Sequence, residues 1–257
     1  MNTPHDLAWA RQIDWSQPWM QPWRAIGEPL QAAILAGTPL WDALNTGEGA
    51  PVRFVAPCAL DANAAYELFI QRTGTCPVRC GQHDFFNGLC WLRFPRSKRR
   101  LNTLQCEQID QFGVGAARGA VRDALTLFDE NAALLRAPDS LWAALLRKDW
   151  RSLFGELRPQ WQDAQLQLFG HALLEKLQQP RKAVTAHVYR VECVASDQGA
   201  LDRWLATSLC SASLADKPFA TLPLLGVPGW WRANLEPDFY DDPSVFRPAK
   251  VRLVATQ

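Results

Sequence analysis

The chain has no apolar run long enough to cross a bilayer, which argues against a membrane-spanning helix and a membrane role. Its first residues, Met1 to Asp6, have neither the basic start nor the apolar stretch of a secretory signal, so none is expected. It has no charge excess: 27 basic side chains face 26 acidic ones, which disfavours a protein that lives on nucleic acid. It has no paired cysteine motifs. Its seven cysteines are odd in number and scattered, the pattern of reduced thiols in the cytoplasm. Nucleophile-elbow, Walker and Cys-His catalytic signatures are all missing. The glycines of Gly113 to Gly119 lack the spacing of a phosphate-binding fingerprint, and that stretch reads as a flexible loop. Histidine is scarce too, at four residues, so each one near other polar groups is a candidate for chemistry.

What is present is apolar and aromatic. A chain of 257 residues, 48% apolar, suffices for one sizeable core, and a single domain over 1–257 is the simplest reading. Twelve tryptophans are expected mainly to pack. Trp9, Trp15, Trp19 and Trp23 alternate with Pro18 and Pro22, so residues 1–24 read as an extended arm that plugs rings into the domain surface. Helices are expected over 25–36 and 39–44, and a strand over 52–56. Asp61 is an apt N-cap for a helix to about Arg72, a loop follows to Gln82, and an aromatic helix covers about His83 to Phe94. Pro95 breaks that helix, and the next one stops at Gly113. Val121 to Leu135 is amphipathic, with Leu125 to Asn131 readable as helix or as a strand entering a turn. Helices from about Ser140, from Gln160 to Gln178 and from Leu201 to Leu209, and a strand over 183–195, complete the pattern. Residues 215–257 are rich in turn formers and read as a loop-rich wrap. The class expected is α+β: one helix-rich domain with a few short strands.

The densest polar cluster lies in the aromatic helix. His83 in its first turn shares a face with Asn87 and Trp91, and Asp84 lies beside that line. The positive end of the helix dipole disfavours imidazolium and favours carboxylate. His83 is thereby biased neutral, as a metal ligand or general base requires, with Asp84 ionised beside it. The plainer alternative is that Asp84 caps the helix and His83 satisfies a carbonyl.

After Pro95 come Arg96, Ser97, Lys98, Arg99 and Arg100. With Ser97 as N-cap, cations crowd the positive end of a helix, which is the wrong sign for stability. Three arrangements answer this: a carboxylate from elsewhere in the chain, a bound phosphate, or a solvated basic surface. Nucleic acid stacked on Trp91 is a weaker fourth, because no second basic-aromatic cluster stands out.

His171 and Glu175 have metal-binding i, i+4 spacing. Leu166, Phe169, Leu173 and Leu177 mark the buried stripe of the expected helix, so the pair points away from the core unless the C-terminal wrap covers it. His187 lies on the expected strand with Thr185 and Tyr189 and is the natural partner for His83. Asp129 and Glu130 could complete a metal sphere, although local pairing also explains them. Cys76, Cys80 and His83 have a loose zinc-like spacing without the second pair that a structural zinc site needs.

Several motifs run together from Pro18 to Pro248: His83-Asp84-Phe85-Phe86-Asn87 with Trp91 and Pro95, Arg122 to Asn131, Phe169 to Lys176, Thr185-Ala186-His187, and Leu225 to Trp230. Jointly they resemble an uncharacterised proteobacterial family, domain of unknown function 3025. The resemblance implies no activity, but its motifs coincide with the polar residues above. Cys80 and Ala132 depart from it where an acidic residue and a glycine are usual, which counts further against a zinc knot.

The expected function is a metal-assisted hydrolase. His83, Asp84, Asn87 and His187 would be catalytic. A divalent metal would be held among His83, His187, His171, Glu175, Asp129 and Glu130, and an anionic, phosphate-bearing small molecule would sit on Arg96, Lys98, Arg99 and Arg100. The alternative is a non-catalytic module that binds an anionic partner, nucleic acid or acidic protein, through residues 96–100. A purely structural role for these polar groups is the third reading. The oligomeric state is left open.

Overall fold

Buried rings organise the chain. In the computed structural model, which describes residues 7–61, 64–113 and 119–249, α5 (Gln82–Arg93) runs through the centre with Phe85, Phe86, Leu89, Cys90, Trp91 and Leu92 all buried. A helix apolar on every side belongs in the middle of a domain rather than on its surface. Phe94 follows it and meets Phe169, which meets Phe128, with ring centroids 4.9 Å apart in both contacts. Fully burying each such ring contributes about 2–3 kcal/mol.

Before α5 come α1 (Ala8–Arg11), α2 (Gln21–Leu35), α3 (Leu40–Leu44), β1 (Arg53–Val55), α4 (Tyr66–Thr73) and β2 (Thr75–Pro77). β1 and β2 form a small parallel sheet, with Phe54 opposite Cys76. After α5 come α6 (Pro95–Phe112), α7 (Ala120–Asn131), β3 (Ala132–Arg136), α8 (Asp139–Arg147), β4 (Gln165–Leu168), α9 (His171–Lys176), β5 (Thr185–Arg190), α10 (Gln198–Ser208), α11 (Ser211–Ala215) and β6 (Ala220–Pro223). The second sheet has the order β4-β3-β5-β6, with β3 and β5 parallel and both edge strands antiparallel to their neighbours. The architecture is α+β, and one continuous apolar core joins the helices to this sheet.

Several expectations need correction. The arm is not extended over its described part. Pro18 opens a 3-10 turn and Pro22 lies in the first turn of α2, where the missing N–H has no partner to lose. Its rings do pack inward: Trp15, Trp19 and Trp23 are buried. Asp61 does not cap α4, whose N-cap is Ala65, and residues 62 and 63 lie outside the described residues. So do residues 114–118 of the glycine loop, 1–6 of the arm and 250–257 of the wrap. Leu125 to Asn131 is helical, and Leu135 belongs to β3.

The expected helix over 160–178 is three pieces: a 3-10 stretch to Asp163, strand β4, and the six-residue α9. The C-terminal segment does wrap. Asn234, 1% exposed, donates to the carbonyls of Leu225 and Val227, and Arg158 reaches Asn234 and Tyr240. Trp150 donates to the carbonyl of Arg247. Among the described residues no helix is long and apolar enough to cross a membrane.

Candidate functional site

Four helices bring the polar residues together. α5 places His83, Asp84, Asn87 and Trp91; α6 contributes Lys98; α7 ends in Asp129 and Glu130; α9 begins at His171. The join of α9 to α7 depends on Gly170. A Cβ there would stand 2.3 Å from the carbonyl oxygen of Glu130, closer than real atoms approach. Only glycine lets the two backbones come near enough to set His171 beside Asp129.

His171 is 5% exposed. Its Nε2 lies 3.1 Å from Nε2 of His83, with the rings at 79° and their centroids 4.6 Å apart. His83 Nδ1–H donates to Glu175 Oε2 at 2.9 Å. The other nitrogen of His171, Nδ1, faces Asp129 Oδ2 at 3.7 Å, too far for a hydrogen bond, and has no partner. Asp129 Oδ1 accepts from Lys98 Nζ at 2.5 Å; Lys98, 4% exposed, also donates to Asn87 Oδ1 at 2.8 Å and stands over the Trp91 ring. Asn87 Nδ2 donates to the Tyr66 hydroxyl at 3.4 Å, which is 3.1 Å from the Cys76 sulfur. Asp84 accepts from the backbone N–H and the guanidinium of Arg79.

Burial pushes the His171 pKa down to about 4, against the attraction of Asp129 and helped by the cation at Lys98. The ring is therefore neutral near pH 7. Burial alone would raise the Asp129 carboxyl, but Lys98, with His171 and His83, holds it below the usual carboxylate range. Burial raises Tyr66 well above its ordinary value and Cys76 to about 11, so neither ionises at neutral pH.

These groups line a cavity of about 490 Å³ between α4, α5, α6 and α7. Its apolar wall includes Ile70, Leu101, Leu125 and Trp91. Its charged wall holds four carboxylates, Glu67, Asp84, Asp129 and Glu130, against two cations, Arg79 and Lys98. Opposite them Gln105 donates to Thr126, and its own Oε1 has no partner.

The structure gathers His83, Asp84, Asn87, Lys98, Asp129, Glu130 and His171 around one space, with Glu175 joined to His83. It leaves four residues of the expected set elsewhere. His187 lies on β5 opposite Thr221, near Phe219; burial, then Lys176 and Lys217, lower its pKa. The partner of His83 is His171 instead. Arg96 and Arg99 are exposed, and Arg100 donates to the carbonyl of Leu209.

Ser97 is not an N-cap, because α6 begins at Pro95. The anion at this helix start is internal: Asp202 accepts from Arg96 N, Ser97 N and Ser97 Oγ at 2.7–3.0 Å. Cys76 and Cys80 do not form a zinc knot, since among the described residues no three His, Cys, Asp or Glu side chains come together to hold a metal. No disulfide joins the cysteines either. Sequence reasoning missed Tyr66, Gln105 and Thr126, whose local patterns carry no signal of a site.

The family described as a protein of unknown function, DUF3025, matches residues 52–250, and the chain belongs to it. No curated protein and no solved structure matches the chain.

Proposed function

We propose that this cavity is the active site of a hydrolase for a small molecule, with the His83–His171 pair as the water-activating centre. The observation that carries the reading is the 3.1 Å approach of two imidazole nitrogens on the wall of a 490 Å³ cavity, each ring backed by a carboxylate. Histidines so held are suited to moving protons or presenting water at neutral pH. Lys98 and Asn87 stand beside them to receive the negatively charged end of the substrate. With Arg96, Arg99 and Arg100 outside the cavity and carboxylates outnumbering cations within it, the side chains alone favour a singly charged substrate over a phosphate-rich one. Cysteines without disulfides fit work in the reducing cytoplasm.

The non-catalytic reading, in which residues 96–100 bind an anionic partner, has less support because Asp202 already fills the helix start. The test is a screen of the protein against chromogenic esters, amides and phosphoesters. Hydrolysis by the wild type should fall about 10²–10⁴-fold in His83→Gln and His171→Ala proteins that remain folded. Equal activity in all three would refute the assignment.

A further inference from the structure

The charges around the cavity match one by one until two are left. Arg79 is taken by Asp84, which accepts from its backbone N–H and its guanidinium. Lys98 is taken by Asp129 and Asn87. A proton on the histidine pair has Glu175, bonded to His83 Nδ1 at 2.9 Å, as its carboxylate. Glu67 and Glu130 remain in the lining, and their side chains have no hydrogen bond or ion pair among the described residues.

The helices bring these two toward one part of the wall. Asn102 Nδ2 and the Cys106 thiol donate to the Glu67 carbonyl at 3.1 and 3.3 Å, which fixes the start of α4 against the turn of α6 that carries Gln105. Gln105 Nε2 donates to Thr126 Oγ1 at 3.3 Å, and Thr126 stands one helical turn before Glu130 on the same face of α7. Gln105 is 8% exposed and lines the cavity, yet its amide oxygen has no partner. The unmatched groups of this wall are thus all acceptors, and two of them are negatively charged. An unmatched buried acceptor and an unmatched carboxylate call for the same thing, a donor that carries positive charge.

We infer that the substrate carries a primary ammonium group, held by Glu67, Glu130 and the Gln105 amide oxygen, so that the enzyme acts on amino-functional amides or esters. This rests on the reading of the cavity as a hydrolytic centre and names its substrate class. An ammonium has three donors and no acceptor, which suits three acceptors supplied by α4, α6 and α7. An apolar group in its place leaves the amide oxygen unmatched, and an anionic one meets two like charges. The volume of about 490 Å³ is that of a site for a small ligand. An ammonium anchored on this wall orients the scissile bond toward the histidine pair, which is where binding energy raises the rate.

The test is calorimetric titration of the full chain with a series of ω-amino acids from glycine to 6-aminohexanoate, each beside the alkanoate that has a methyl group in place of the ammonium. The best amino acid should bind at least about 10²-fold more tightly than its alkanoate partner. Glu67→Gln and Glu130→Gln, which keep the side-chain shape, should each narrow that ratio about 10-fold, and together abolish it. Equal affinity within every pair, or a preference that survives the double substitution, overturns the inference. The p-nitroanilides of the same acids separate the two readings. If the ammonium preference is present while no anilide is hydrolysed, the subsite stands and the hydrolase reading falls. If alkanoyl anilides are hydrolysed as fast as the amino ones, and hydrolysis needs His83, the hydrolase reading stands and the ammonium subsite is lost.

Discussion

The first turn of α6 separates two polar clusters of opposite character. On one side Asp202, 2% exposed, takes hydrogen bonds from Arg96 and Ser97, and its carboxylate is fully engaged by the chain. On the other side Lys98, one residue further, points into the cavity. There Gln105 Oε1 and His171 Nδ1 have no partner, and two imidazole nitrogens meet at 3.1 Å beside the open volume. The first cluster is a finished structural joint. The second keeps unsatisfied groups around an open volume, and a fold tolerates that arrangement mainly where something else binds.

Substitutions can break or sharpen this contrast. The largest effect is expected for Gly170→Ala, because the atoms in the way are backbone of Glu130 and Asn131 and cannot swing aside. It should cost about 3 kcal/mol by chemical denaturation and disable the histidine pair with it. Asp202→Ala comes next, at about 2–3 kcal/mol, since it leaves the donors at the α6 start without their charged acceptor. Hydrolysis by the folded protein should survive it, because the joint carries no chemistry; loss of activity would show that the two clusters are one unit.

Lys98→Met should cost about 2 kcal/mol. That is less than for a fully buried pair because Asp129 keeps 28% of its side chain exposed. Adding Asp129→Leu should recover part of that loss, which a double-mutant cycle reads directly. His83→Gln should change stability least, by under about 0.5 kcal/mol for a half-exposed side chain, while lowering hydrolysis about 10²–10⁴-fold. A large stability loss there would make His83 a structural residue.

Much of this contrast was legible before the fold was known, but its geometry was not. Polar residues interrupting an otherwise aromatic helix marked His83, Asp84 and Asn87, and all three line the cavity. The cation excess at residues 96–100 demanded an anion, and Asp202 supplies it from α10, 105 residues further along the chain, a distance no local pattern spans. His171 was misjudged because a helical wheel ran through Leu166 and Phe169. Those residues belong to β4 and the turn after it, so they say nothing about which way α9 faces. His187 looked like the partner of His83 only because histidines are few. Lys98 was grouped with its neighbours by charge, whereas its position one residue past Ser97 turns it to the other side of the helix.

The most direct measurement is the rate of hydrolysis by the wild type beside His83→Gln and His171→Ala proteins shown by circular dichroism to be folded. Both substitutions should lower the rate about 10²–10⁴-fold, because the two rings, 3.1 Å apart, act as one pair. Wild-type activity in either folded variant would contradict it.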